Sequence, residues 1–285
     1  MRSARIGNDT VAILGGKGML GTDLVKHCRE EGYKVKVFDL PEFDITNTAQ
    51  LEQAVEQAGT VINCAAYTNV DKAESESGLA YKVNAQAVGE LAALAEKMQK
   101  WVLHISTDFV FDGTSGRPYV ETDTANPINV YGKSKLAGEQ LLAESGCEYC
   151  IIRVQWTYGR AGVNFITKLV ARARQDKNIK VVNDQIGSPT ATTEVAKTIC
   201  QLLPQRPRGL FHFAASGYVS RFDMAKFIFE NRDIPVNLIN CKSSDFHSAA
   251  ARPLNSRFNC GKIQALLEEP IKSWQGPLKL FLEQL

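Results

Sequence analysis

The sequence predicts an α/β fold, a Rossmann-type doubly wound parallel sheet carrying a smaller, discontinuous α/β substrate lobe. Three observations predict it. Short apolar runs alternate with longer helical patterns up to residue 154, and that rhythm requires parallel strands joined by right-handed crossovers. The stretch ILGGKGMLG at 13–21 puts a glycine-rich turn between the first apolar run and the first helical pattern. Beyond residue 154 the alternation loosens into loops such as GRAGVN and NDQIGSPT.

The elements follow in order. TVAIL (10–14) reads as a buried strand, and a helix over about 19–31 follows the glycine turn. YKVKVFD (33–39) alternates, which suits a strand near a sheet edge, and TVINCAA (60–66) is the third strand. A helical stretch over 77–98 leads into WVLHIST (101–107), and a helix starting near Tyr131 leads into CEYCIIRV (147–154). A helix over 191–203 and a late strand, GLFHFAA (209–215), return to the main sheet. Two or three more helices and an arginine-bearing loop, ARPLNSRF, complete the chain over 217–285. The expected division is 1–154 with 191–216 for the sheet domain, and 155–190 with 217–285 for the smaller lobe. The nine residues before the first strand are expected to form a disordered leader.

Composition removes several function classes. The 285 residues carry a net charge of +2 with the basic residues dispersed, which gives no handle for nucleic acid or a membrane surface. No apolar run reaches the length of a membrane span, and MRSARIGNDT lacks the apolar core of a signal peptide. Seven scattered cysteines imply reduced thiols and a cytoplasmic protein. The C-x-x-C of Cys147 and Cys150 runs into a strand pattern, so packing explains it better than redox or zinc chemistry. The four histidines share no ligand spacing, and no metal site is predicted from them.

The glycine turn carries the first chemistry. Glycine admits positive φ and lets backbone approach a pyrophosphate, which then rests on the positive end of the following helix. Gly16, Gly18 and Gly21 spell G-x-G-x-x-G, whereas Gly15, Gly18 and Gly21 spell G-x-x-G-x-x-G. Either register predicts a dinucleotide. Asp39 ends the second strand eighteen residues after Gly21, where a carboxylate accepts from the adenine-ribose hydroxyls and repels a 2′-phosphate. That favours NADH, while Lys17, Lys34 and Lys36 pull toward NADPH.

The second chemistry lies downstream. Tyr131 and Lys135 form Y-x-x-x-K at a helix start, one turn apart on one face. A free phenol has a pKa of about 10, and an ammonium beside it would draw that value toward neutrality. Ser106 and Thr107 end the fourth strand, the edge where open α/β sheets hold ligands. A hydroxyl there can hold a substrate carbonyl while the phenol supplies a proton.

VINCAAYTNVDKAESE (61–76), STDFVFDG (106–113), NVYGKSKLAGE (129–139), NDQIGSPT (183–190) and ARPLNSRF (251–258) occur in that order. With the Gly15, Gly18, Gly21 register, they resemble the dTDP-4-dehydrorhamnose reductase family of the extended short-chain dehydrogenase/reductases. The resemblance spans residues 10–262. It implies reduction of the C4 ketone of a dTDP-4-dehydro-6-deoxy-L-sugar by NADPH or NADH, with Thr107, Tyr131 and Lys135 as the catalytic triad. The implied cofactor residues are Gly15, Lys17, Gly18, Met19, Leu20, Gly21, Asp39, Asp44, Ile45, Ala65, Ala66, Tyr67 and Lys135. The implied substrate residues are Thr68, Val70, Ser106, Thr107, Trp156, Asn164 and Arg252. Trp156 would pack on the apolar 6-deoxy face, and Arg252 would grip the diphosphate. Phe165, Gln185 and Asn255 are weaker candidates, for which loop structure is an equal explanation. The sequence departs from the family at Gln155, where a small hydroxyl residue is usual. The resemblance allows a homodimer and, in some relatives, a Mg2+ ion at the subunit interface.

Two rivals are weighed against this reading. Another enzyme of the superfamily could act on a neighbouring dTDP-4-keto-6-deoxysugar. A dehydratase is disfavoured, because Phe109 stands where that chemistry needs a glutamate base. A non-catalytic, NAD(P)-binding regulatory subunit resembling the methionine adenosyltransferase β subunit is disfavoured by the complete triad and sugar-site motifs.

Overall fold

The computed structural model describes residues 10–285. The leader expected at 1–9 therefore lies outside the described residues. The first half alternates β1 (Thr10–Leu14), α1 (Met19–Glu30), β2 (Lys34–Phe38), α2 (Thr48–Glu56) and β3 (Thr60–Asn63). Two short helices, α3 (Val70–Ala73) and α4 (Ser77–Tyr81), then lead through a π-helical turn (Lys82–Gln86) into α5 (Ala87–Lys97). β4 (Trp101–Thr107), α6 (Val130–Glu144) and β5 (Glu148–Val154) complete that series. The second half holds β6 (Thr157–Tyr158), α7 (Phe165–Gln175), β7 (Asn178–Val182), β8 (Ile186–Gly187), β9 (Thr190–Ala191) and α8 (Thr192–Leu202). It closes with β10 (Gly209–Phe213), β11 (Val219–Ser220), α9 (Arg221–Asn231), β12 (Asn237–Cys241), α10 (Gly261–Gln264) and α11 (Gln275–Leu282).

Six strands form one parallel sheet in the order β10-β5-β4-β3-β1-β2, which is the doubly wound architecture expected. The late strand joins beside β5, and the alternating second strand is the opposite edge. The order reverses between β1 and β3, so a crevice opens beyond their carboxyl ends. In register across the sheet lie Ile13, Ile62, Leu103 and Cys150, all fully buried beneath α1 and α8 with Leu24, Val195 and Ile199. The opposite face sets Ala12, Leu14, Val61, Val102 and Ile151 against Leu51, Leu91 and Leu142 of α2, α5 and α6. Each large aliphatic side chain so enclosed contributes roughly 1.5–3 kcal/mol. Cys147 and Cys150 fall in opposite cores and both are free thiols, so packing accounts for the C-x-x-C.

The 77–98 helix is interrupted, and a specific contact explains it. Within the π turn Asn84 is fully buried; its Oδ1 accepts from Tyr67 N at 2.8 Å, and its Nδ2 donates to Tyr67 O at 3.1 Å. The extra residue turns one amide inward to brace the chain after β3.

A separate core gathers α7, α9 and α11 over Ile166, Leu169, Met224, Ile228 and Leu278. Its strands β7 and β12 pair in parallel, with Ile179 opposite Leu238. The chain then returns to the main sheet, where Ile263 of α10 is buried with Phe211 and Phe213 of β10.

Candidate active site

The glycine turn after β1, Asp39 after β2, Ala65 after β3 and Thr107 at the end of β4 lie at the carboxyl edge of the sheet. Gly15, at the end of β1, has φ +74°, and a Cβ there would lie 2.6 Å from Ala65 N beyond β3. A Cβ on Gly21 would strike the Gly15 carbonyl. These are backbone contacts that an L-residue cannot make, and they belong to the Gly15, Gly18, Gly21 register. Gly18 caps α1 without any side-chain acceptor, which leaves the amides near Met19, Leu20 and Gly21 for an anion.

Asp39 follows β2. Its Oδ2 accepts from Lys17 N at 2.7 Å and its Oδ1 from Leu40 N at 2.8 Å, so the acid and the glycine turn are one unit. The Lys17 ammonium reaches past it to Glu42 Oε2 (2.5 Å) and Leu40 O. Asp44 accepts from Thr46 N and Oγ1, while Ile45 is buried in the core over that face of the sheet. These contacts account for the acid and lysine at this end of the crevice, with Asp44 as a turn former.

Beyond β3, Ala65 and Ala66 line the crevice and are half-buried. Tyr67 is fixed through its backbone by Asn84. Its hydroxyl donates to Glu76 Oε2 at 2.5 Å, and that bond raises the phenol to about 12. Thr68 is exposed and Val70 opens α3.

Thr107 and Tyr131 meet across the crevice. Burial raises the Tyr131 phenol to about 12, although the neighbouring Thr107 hydroxyl opposes the rise. The Thr107 hydroxyl donates to Asp108 Oδ1 at 3.1 Å and accepts from Phe109 N at 3.2 Å. Phe109 stacks edge-on to Tyr131 at 5.5 Å. Lys135 lies one turn along α6 and is 2% exposed, with Nζ donating to Ile105 O at 2.7 Å and 3.1 Å from His104 Nε2. Burial therefore favours the protonated phenol. The Ser106 hydroxyl is buried without a hydrogen-bond partner among the described residues.

Asp108 was not legible as a site residue. It is 2% exposed, accepts from Ser256 Oγ at 2.5 Å, and is raised by burial to about 6. Ser256 comes from the ARPLNSRF loop, so a carboxyl group ties the end of β4 to that loop.

Trp156 follows β5 with φ +45°, a left-handed conformation that a bulky residue adopts only under constraint. Gly187 supplies the space: a Cβ there would lie 2.6 Å from the indole Cε2. The guanidinium of Arg221 covers one indole face at 3.5 Å from the ring centroid and lies 4.7 Å over Phe165. Burial lowers Arg221 to about 9. Gln155 is 1% exposed; its Oε1 accepts from Ser188 N, and its buried Nε2 has no partner.

Other candidates serve the fold in this state. Asn164 caps α7, accepting from Ile166 N and Thr167 N and donating to Gly159 O, which uses both ends of its amide. Asn255 donates to Ser115 O and Arg117 O, and Gln185 donates to Ser243 Oγ. Arg252 pairs with Asp71 Oδ2 at 2.6 Å, which holds that carboxyl below the usual range while Arg252 remains part-exposed at the crevice. Among the described residues no group of three or more His, Cys, Asp or Glu side chains is placed to hold a metal ion, and no helix is long and apolar enough to cross a membrane.

Comparison with known proteins gives the family. Residues 9–285 match the family described as RmlD substrate binding domain. The dTDP-4-dehydrorhamnose reductase of Aggregatibacter actinomycetemcomitans is 37% identical, with 94% of this chain and 96% of the relative covered. The dTDP-4-keto-6-deoxy-D-glucose reductase of Streptomyces niveus is 38% identical over 78% of each chain. The crystal structure of dTDP-4-dehydrorhamnose reductase from Bacillus anthracis in complex with NADP superposes with a TM-score of 0.93 at 36% identity, covering 98% of this chain and 100% of that one.

Proposed function

Since the chain belongs to the RmlD family, we propose that it reduces the C4 ketone of dTDP-4-dehydro-6-deoxy-L-mannose, giving dTDP-L-rhamnose at the expense of NAD(P)H. The observation that carries the reading is the convergence of Thr107, Tyr131 and Lys135 at the carboxyl edge of the sheet, beside a glycine turn built for a dinucleotide.

The residues fit the cofactor. Gly15, Gly18 and the uncapped α1 terminus would receive the pyrophosphate, Asp39 and Lys17 the adenosine end, and Ala65, Ala66 and Tyr67 the path toward Lys135. The nicotinamide, when bound, supplies the hydride. Tyr131 supplies the proton, and its high pKa keeps it in the donating form at neutral pH. Thr107 presents its hydroxyl to the ketone oxygen, turning from Asp108, its acceptor in the free protein. Trp156, braced between Gly187 and Arg221, bounds the sugar with Thr68, Val70 and Ser106. Arg252 receives the diphosphate in exchange for Asp71. The free cysteines support a reducing, cytoplasmic setting for this work.

Replacing Tyr131 by Phe removes only the proton donor. Turnover should fall by about 10²–10⁴-fold while NAD(P)H binding stays close to wild type. Wild-type turnover in this variant would remove Tyr131 from the chemistry.

A further inference from the structure

The first turn of α6 carries Tyr131, and two contacts fix where that turn sits. Gly132 packs against the segment after β4, where a Cβ would strike the Phe109 carbonyl oxygen. Asn129, 2% exposed, caps the helix: its Oδ1 accepts from Gly132 N at 2.8 Å. The other end of the same amide leaves the helix. Its Nδ2 donates to Ala251 O at 2.8 Å, 122 residues along the chain. Ala251 directly precedes Arg252, whose guanidinium donates to Ala250 O at 2.9 Å and pairs with Asp71 at 2.6 Å.

Capping explains only half of this amide. Gly132 N can only donate and Ala251 O can only accept, so the oxygen faces the helix and the NH2 faces the loop. Serine or aspartate would satisfy the helix equally well. Neither would also bond the Ala251 carbonyl, because serine is one atom shorter and an ionised aspartate has no donor. What asparagine adds is the bond to the loop.

We propose that Asn129 is a positioning residue, which ties the Tyr131 turn to the Arg252 loop so that the proton donor and the bound sugar nucleotide keep one register. The inference rests on the reductase reading, which gives Tyr131 the proton and Arg252 the diphosphate. The tether is one amide long, so a loop displacement of about 1 Å must either draw the turn with it or break a hydrogen bond. Proton transfer needs heavy atoms about 2.6–3.2 Å apart, and a misplacement of about 1 Å costs roughly 10²-fold.

The α3 segment holds the same two pieces of chain from another side. Asp71 Oδ1 accepts from Ala250 N at 3.2 Å, and Glu74 Oε1 accepts from Val130 N at 2.8 Å. The two links differ in one respect. Asp71 loses its ion pair when the diphosphate takes Arg252, whereas Asn129 holds a backbone carbonyl, a group that a diphosphate does not bind. Asn129 therefore keeps the loop in register while substrate is bound.

The test compares the full-length wild type with Asn129→Ser and Asn129→Asp, which keep an acceptor for Gly132 N and lack the NH2. In the folded variants kcat should fall roughly 10²-fold, well beyond any rise in KM, while the Kd for NAD(P)H stays within about twofold. Hydrogen exchange, measured without substrate, should be faster over Ala250–Arg252 in both variants, with the Gly132 amide still protected. A kcat within about twofold of wild type, or loop exchange that does not change, would overturn the proposal. A loss of cofactor binding as large as the loss of kcat would also overturn it, since that marks general damage to the fold. A wild-type protein that oxidises no NAD(P)H on this ketone would count against the reductase reading; the exchange comparison, which needs no turnover, then decides the tether.

Discussion

Arg221 lies over the face of Trp156, its guanidinium carbon 3.5 Å from the indole centroid. The indole is thus held from two sides, by the guanidinium on its face and by Gly187 against its edge. Asp108 and Arg252 act on the same guanidinium electrostatically, so it stands between the end of β4 and the ARPLNSRF loop.

The first prediction concerns that arrangement. Arg221→Met keeps an apolar stem over the indole and removes the charge. KM for the sugar nucleotide should rise by about tenfold or more while the Kd for NAD(P)H stays within about twofold, as expected when a charge-assisted contact to substrate is lost. Equal losses for both ligands would show that Arg221 supports the fold generally.

The second concerns Gly187. Alanine there must displace Trp156 or the β8 backbone, at a cost of roughly 1–3 kcal/mol. Urea unfolding should show that loss, and tryptophan fluorescence of the folded variant should shift. An unchanged midpoint and spectrum would mean that the indole has room to move.

The third concerns cofactor choice. Asp39→Asn keeps an oxygen for the Lys17 amide but removes the charge that repels a 2′-phosphate. The ratio of kcat/KM for NADPH over NADH should rise by about tenfold, equivalent to about 1.4 kcal/mol. A ratio that stays constant would assign the discrimination elsewhere.

The fourth concerns pH. The ordinary Asp108 value is 3.8 and burial raises it to about 6 in the folded protein. Between those values the folded state binds a proton that the unfolded chain has released, so stability falls as pH rises through the window, by up to about 3 kcal/mol. Asp112, lowered to about 2, acts with the opposite sign and below that window, stabilising above 3.8 and losing its contribution on acidification. Asp108→Asn should flatten the urea midpoint between about pH 4 and about pH 6 relative to wild type. An unaltered slope would show that Asp108 titrates normally.

What could be read from the sequence was local. The glycine turn, Asp39 and the Tyr131–Lys135 pair are set by spacing within one turn or one strand–helix unit, and their backbone placement follows from it. The doubly wound sheet was legible for the same reason, because each crossover is a local rhythm. His104, Asp108, Asn84 and Arg221 were not legible as site residues, because their partners lie far away in sequence: Asp108 meets Ser256 148 residues on, and His104 meets Lys135 31 residues on. The β7–β12 pair was hidden likewise, since α8, β10 and α9 separate NIKVV from NLINC along the chain. The Lys135 contact to the Ile105 carbonyl was likewise not legible, because the two residues are 30 apart in the chain.

The most direct test of the central claim follows NAD(P)H oxidation by the purified protein with dTDP-4-dehydro-6-deoxy-L-mannose generated in place, and then identifies the sugar nucleotide formed. Oxidation of one NAD(P)H for each dTDP-L-rhamnose produced is the result the structure predicts. A cofactor that binds but is not oxidised in the presence of this ketone, or oxidation that yields a sugar nucleotide other than dTDP-L-rhamnose, would contradict it.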